Sequence, residues 1–149
     1  MMEQQPYGGH PDRFTRYYQV LSRESLTGRC YWEVEWGGEG LNVAVTYGNI
    51  SRTGSMNECV FGFNSNSWSL ECNRHSYILQ SNRVHTPVSG PQSFRVGVYL
   101  DLRAGVLSFY SVSEAMTLLH RVRTAFTGPL YAGLGFYSSG DAAELCNLK

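Results

Sequence analysis

The sequence predicts an all-β fold, a two-layer antiparallel β-sandwich with very little helix. Three observations carry this prediction. The composition sets 7 Phe, 10 Tyr and 3 Trp beside 16 Gly, a mixture of strand formers and turn formers. Short segments of alternating apolar and polar residues recur roughly every 8 to 12 residues, the spacing of a sandwich. No stretch sustains the 3.6-residue apolar period of a helix, and only 111–116 offers enough for a single helical turn.

The elements follow in chain order. Gln19–Leu21 reads as a short strand. Over 30–36, Cys30, Trp32, Val34 and Trp36 share one face and Tyr31, Glu33 and Glu35 the other, which is the pattern of a half-buried strand. Gly37, Gly38 and Gly40 supply a turn, and Val43, Val45 and Tyr47 then alternate with Asn42, Ala44 and Thr46. The pair is expected to form an antiparallel hairpin. A second hairpin is expected between 95–101, with Val96, Val98 and Leu100 inward, and 106–111, joined through Gly105. Further strands are expected at 67–70, 76–79, 118–122, 130–136 and 144–148. The first dozen residues read as a loosely ordered segment, and 13–149 as one domain.

Composition also narrows function. The chain's 149 residues suffice to bury a core without metals or staples. Twelve basic residues offset twelve acidic ones, so no chain-wide field draws the protein to nucleic acid or an anionic membrane. The only lysine is Lys149; the remaining cations are arginines, whose planar fork suits protein interfaces. No apolar run approaches the roughly 20 residues that span a bilayer, and the polar start is not a signal peptide. These features read as a soluble, cytoplasmic chain. Cys30, Cys59, Cys72 and Cys146 are scattered through a domain that does not need disulfides, and are expected to be reduced structural thiols. Asn49-Ile50-Ser51 matches a glycosylation pattern short enough to arise by chance.

Four blocks are more specific than their periodicity. Gly28-Arg29-Cys30-Tyr31-Trp32-Glu33-Val34-Glu35-Trp36 resembles the opening signature of the SPRY (B30.2) domain. Phe61-Gly62-Phe63-Asn64 with Ser67-Trp68-Ser69-Leu70, Val96-Gly97-Val98-Tyr99-Leu100-Asp101 through Tyr110, and Phe126-Thr127-Gly128-Pro129-Leu130-Tyr131 resemble it in the same order. His10 to Phe14 with Gln19-Val20-Leu21 resembles the later part of the PRY segment that precedes SPRY, so the likeness spans nearly the whole chain. The family's first PRY strand has no counterpart here, as in a domain cut from a longer protein or one lacking an edge strand. The wording is most similar to B30.2 domains of fish tripartite-motif ubiquitin ligases, NOD-like receptors and stonefish toxins. The resemblance implies recognition by this domain and effector chemistry elsewhere in a parent protein. It implies an innate-immunity ligase or receptor first and a secreted pore-forming toxin as the alternative; a self-association domain is a further alternative independent of the resemblance.

Trp32, Trp36, Trp68, Phe109 and Tyr110 are expected to build the core, because large aromatics on alternating strands fill interiors more often than sites. Recognition is then expected on loops, and the resemblance points to 49–58, 71–86 and 137–141. The candidate protein-binding residues are Arg52, Glu58, Glu71, Asn73, Arg74, His75, Tyr77, Tyr137 and Ser138, with Arg74 and Tyr77 the preferred anchors. Relatives that bind with aromatic side chains carry tryptophan where Glu71 and Asn73 stand, so no particular partner, antibody Fc included, is inherited.

No catalytic residue, metal site or cofactor is expected. Phosphate loops, HExxH and GxSxG are missing from the sequence. Cys72 and His75 are closely spaced, but a chance pairing explains them better than a nucleophile and base. Completing a zinc site with Cys59 and His85 fits no trusted spacing. Glu33 and Glu35 read as a solvated strand face rather than as paired acid and base.

Overall fold

A computed structural model describes residues 19–37, 40–50, 53 and 55–136, together with the backbone of Ala142–Cys146. The described residues form two antiparallel sheets. The six-stranded sheet runs in the order β1 (Gln19–Leu21), β10 (Leu130–Phe136), β3 (Gly40–Tyr47), β4 (Ser67–Asn73), β5 (Tyr77–Ser81) and β6 (Val84–Val88). The five-stranded sheet runs β11 (Ala142–Cys146), β2 (Arg29–Gly37), β7 (Arg95–Asp101), β8 (Val106–Val112) and β9 (Met116–Arg123). One helical turn, α1 (Met56–Cys59), lies between β3 and β4. The expected all-β sandwich is the fold observed.

The alternation expected of β2 is present: Cys30, Trp32, Val34 and Trp36 are buried and Tyr31, Glu33 and Glu35 are not fully covered. Its expected partner is not. β2 and β3 make no hairpin, because β2 pairs with β7 and β11 while β3 pairs with β4 and β10. Trp32 and Val34 instead share one core with Leu41, Val43 and Val45, joined there by Leu70, Val98, Leu107, Phe109 and Leu134. Two adjacent strands, each with an apolar face, can pair edge to edge or stack face to face, and alternation alone does not separate the two arrangements. The stacked one buries both faces at once. The β7–β8 hairpin is formed in the expected register, with Gly105 at φ +71° between its strands.

Residues 48–50 and 55–66 pack on the outer face of the six-stranded sheet and build a second, smaller core. Ile50, Cys59 and Phe61 are buried there against Leu21 and Ala44. Gln19, itself buried, holds the segment with both ends of its amide: Nε2 donates to the Cys59 carbonyl at 2.8 Å and Oε1 accepts from the Phe61 amide at 2.8 Å. Gly133 makes room for this packing, since a Cβ at that position would come within 2.9 Å of the Phe61 ring. The β5–β6 tip closes over the segment's end, where the Asn82 and Arg83 amides donate to the Asn64 and Gly62 carbonyls.

Two expected loops and turns differ. The 71–86 stretch, offered as a binding loop around an expected strand at 76–79, is largely strand: the end of β4, all of β5 and half of β6. Its hairpin turns on Asn82 and Arg83, both at positive φ, the backbone of a tight hairpin reached here without a glycine to signal it. Pro87 sits within β6, which occupies a sheet edge where a missing N–H is tolerated. The helical turn considered for 111–116 is a tight connection of β8 to β9, closed by the Ser113 amide on the Ala115 carbonyl. The last strand begins two residues earlier than expected, at Ala142.

Gln19→Ala would remove two buried hydrogen bonds, to the Cys59 carbonyl and the Phe61 amide, at a cost of about 1–3 kcal/mol each. Urea unfolding followed by tryptophan fluorescence should show a loss of about 2–4 kcal/mol. A change below about 0.5 kcal/mol, the range of an unremarkable surface substitution, would mean that the 48–66 segment is fastened by something else.

Candidate functional site

The β4–β5 turn supplies the centre of the site. Asn73 ends β4, and its Oδ1 accepts from the His75 amide at 2.9 Å, the Ser76 amide at 2.8 Å and the Ser76 hydroxyl at 3.1 Å. A short polar side chain that captures the amides two and three residues ahead sets a turn without help from the sheet. Asn73 is thereby spent on structure. The turn it forms carries Arg74 and His75, both exposed, into solvent.

Tyr77 is a correction to the sequence reading. It is 1% exposed and belongs to the interlayer core, so it cannot touch a partner. Its hydroxyl donates to the Pro91 carbonyl at 2.9 Å and accepts from the Ser93 amide at 3.1 Å. Ser111 Oγ also donates to the Pro91 carbonyl, at 2.6 Å. These bonds tie the 89–94 connection, which crosses from one sheet to the other, onto the end of the core. Tyr77 therefore acts as a post beneath the site.

The residue held up by that post was missed in the sequence. Phe94 is 54% exposed; its ring lies 5.1 Å from that of Trp36, tilted by 59°, and its carbonyl accepts from the Trp36 amide. Phe94 is in phase with Val96, Val98 and Leu100, so alternation counts it as core. It lies one residue beyond the start of β7, past the end of the sandwich. Trp36, Arg74, Gln92, Ser93 and Phe94 enclose a small cleft of about 110 Å³. The Trp36 indole N–H is shielded from solvent and has no hydrogen-bond partner among the described residues.

The remaining candidates divide. Glu71 faces outward from β4, half-buried, and accepts from Gln80 Nε2 at 2.8 Å. Around it, Asn42 Oδ1, Ser69 Oγ and Gln80 Oε1 are buried without a hydrogen-bond partner among the described residues. Glu58 is fully exposed and lies on α1 in the 48–66 segment, away from the β4–β5 turn. There its Oε1 accepts from the Ser55 amide and hydroxyl, and these bonds hold its carboxyl below the usual range. Arg52, Tyr137 and Ser138 lie outside the described residues. The site as described thus joins Arg74 and His75 to Phe94, over Trp36.

The groups that suggested chemistry are occupied elsewhere. Glu33 and Glu35 are not simply solvated: one Arg95 guanidinium bridges both, at 2.5 Å and 2.6 Å. Tyr31 donates to Glu33 Oε2 at 2.6 Å, and burial together with that bond raises the phenol above its ordinary pKa. Cys72 points into the core, where burial pushes its thiol far above the usual range, while His75 points to solvent. Cys30, Cys59 and Cys72 are buried, and Cys30 and Cys72 form no disulfide.

The antiparallel sandwich presents arginine, histidine and phenylalanine together at one end. Comparison with known proteins gives it a family. The SPRY domain family matches residues 29–147, and the chain belongs to that family. It is 37% identical to stonustoxin subunit alpha of Synanceia horrida over 147 residues, covering 96% of this chain and 21% of the toxin subunit. It is also 37% identical to tripartite motif-containing protein 16 of Mus musculus, covering 96% of this chain and 26% of that protein. Among solved structures, the TRIM65 PSpry domain superposes with a TM-score of 0.82 at 26% identity, over 92% of this chain and 72% of that one. The chain therefore spans about a fifth to a quarter of the two curated relatives. Stonefish toxins and tripartite-motif proteins are both among its relatives, as the sequence resemblance implied.

Tyr77→Phe removes the hydroxyl and leaves the Ser93 amide without its acceptor. Stability should fall by about 1–2 kcal/mol, with faster amide exchange across 91–94 by hydrogen–deuterium exchange. Unchanged exchange there would show that the hydroxyl does not hold the connection.

Proposed function

We propose that this chain is the ligand- or substrate-recognition module of a larger innate-immunity protein, a tripartite-motif ubiquitin ligase or a NOD-like receptor, acting in the cytoplasm. SPRY domains are protein-interaction modules, and the partner here is a protein. The observation that carries the reading is Phe94, half-exposed on Trp36 beside the Arg74–His75 turn. An aromatic ring and an arginine around a small cleft are the composition of an interface hot spot. Arg52, Tyr137 and Ser138 are proposed to extend the surface from neighbouring segments. Effector chemistry belongs to other parts of such a parent. Two buried thiols that form no disulfide, Cys30 and Cys72, support a reducing compartment.

A second reading is a module of a secreted pore-forming toxin, favoured by the identity to stonustoxin subunit alpha over 96% of the chain. The two readings separate on native material: a glycan on Asn49 or a disulfide favours the toxin, and free thiols favour the cytoplasmic protein.

Binders selected from a random-peptide phage library against the whole chain test the surface. Arg74→Ala with Phe94→Ala should weaken the dominant binder by about tenfold or more while leaving the unfolding midpoint near that of the parent. Unchanged affinity would move the recognition surface away from this end.

A further inference from the structure

A second surface lies on the outer face of the five-stranded sheet, across β2, β7, β8 and β9. Two of the four exposed large apolar side chains among the described residues are here, Met116 at 51% and Leu118 at 43%. The register sets Leu118 beside Tyr110 on β8. The middle of the face is flat because Gly97 lets the Tyr31 ring lie across β7, where a Cβ would collide with the Tyr31 hydroxyl. That hydroxyl reaches the Met116 sulfur at 3.9 Å. Arg121 is laid along the face as well, its Nε donating to Ser108 Oγ at 3.0 Å. Tyrosine, methionine and arginine are enriched at protein interfaces, and side chains already held lose little freedom on contact.

Charge is divided between the two ends of this face. Where β2 stops and β7 starts, Glu33 and Glu35 share the single Arg95, and Glu114 is exposed on the β8–β9 turn. At the opposite end Arg29, Arg103, Arg121 and Arg123 are exposed, and none of them forms an ion pair with a described residue. Asp101, paired in register with Arg29, is the acidic residue among them. Along the strand direction the face therefore runs from acidic, through apolar, to basic.

We infer that a second copy of this chain packs face to face on this surface, about a two-fold axis that lies in the interface at right angles to the strands. That rotation lays the acidic end of each copy on the arginine end of the other, with Glu33 and Glu35 over Arg29 and Glu114 over Arg123, and brings the two apolar middles together. A two-fold interface must be complementary to itself, and a face whose charge reverses along the strands meets that condition. Other occupants match one half of it. A nucleic acid, an anionic membrane or an acidic segment is drawn by the arginines and repelled by the glutamates. A different protein would need the same layout reversed, which a second copy supplies by symmetry. Edge-to-edge pairing through β9 is disfavoured by the bulge at Phe109/Tyr110 and by Arg121 and Arg123 on the edge strand. Strand spacing and residue rise give the face about 400 Å², about half of a standard interface per partner, so the dimer forms at high concentration and dissociates on dilution.

The test is analytical ultracentrifugation of the whole chain from about 10 μM to about 1 mM, with a reductant present so that any dimer is non-covalent. A monomer–dimer equilibrium should appear and weaken as salt is raised. Leu118→Ser should weaken the dimer by about tenfold. Glu114→Arg and Arg123→Glu should each weaken it by about threefold or more, and an equimolar mixture of the two should restore it, because each reversed charge then faces its opposite in the other copy. All three positions are exposed, so the unfolding midpoints should stay near that of the parent. A strict monomer at the highest concentration overturns the inference. So does a dimer that Leu118→Ser leaves unchanged, or a mixture of the two charge variants that stays as weak as either alone.

Discussion

Everything in this molecule depends on one constraint: each strand must bury its apolar face in a single layer between two sheets. Trp32 and Val34 on β2 meet Leu41, Val43 and Val45 on β3 across that layer, and this contact forces the chain to change sheets between them. Burial of side chains of this size contributes about 1.5–3 kcal/mol each, more than any hairpin turn can offset. Once the layer is filled, only outer faces and ends are left for polar chemistry. The Tyr77 hydroxyl shows how the core reaches the end of the sandwich, binding the 89–94 connection and so presenting Phe94 beside the Arg74 turn. The second core under 48–66 does the same for one outer face, with Gln19 and Phe61 as its fastenings.

Recognition rather than reaction is what the side-chain chemistry favours. Glu33 and Glu35 share Arg95, so neither is poised as an acid or base. The Cys72 thiol is held protonated by burial, and a thiol in that state is a poor nucleophile. By contrast, Arg74, His75 and Phe94 are exposed on backbone that is held from below. Groups placed this way lose little freedom on meeting a partner, which is how a modest surface gains affinity.

Much of the fold was legible in the sequence, for reasons visible in particular residues. β2, β7, β8 and β10 carry strict alternation or glycine-bounded apolar runs, and β1 was found to the residue. β6 was hidden because Asn82 and Arg83 make its turn without glycine and Pro87 interrupts it. The β2–β3 crossing was misread because a glycine turn between two alternating segments suits a hairpin and a sandwich corner equally. The site was less legible. Arg74 and His75 are exposed as expected, but Tyr77 and Asn73 have the same polar character and serve the core and the turn. Burial separates them, and no local pattern encodes it. Phe94 escaped notice through its phase with Val96 and Val98.

The interlayer core fixes the fold, and the Arg74–Phe94 end is the surface proposed to meet the partner. Hydrogen–deuterium exchange on the whole chain, with and without a saturating selected binder, tests it most directly. Protection should rise across 73–76 and 89–95 and stay unchanged within β2 and β8. Protection confined to the outer face of β7 to β9, with 73–76 and 89–95 unaffected, would contradict it.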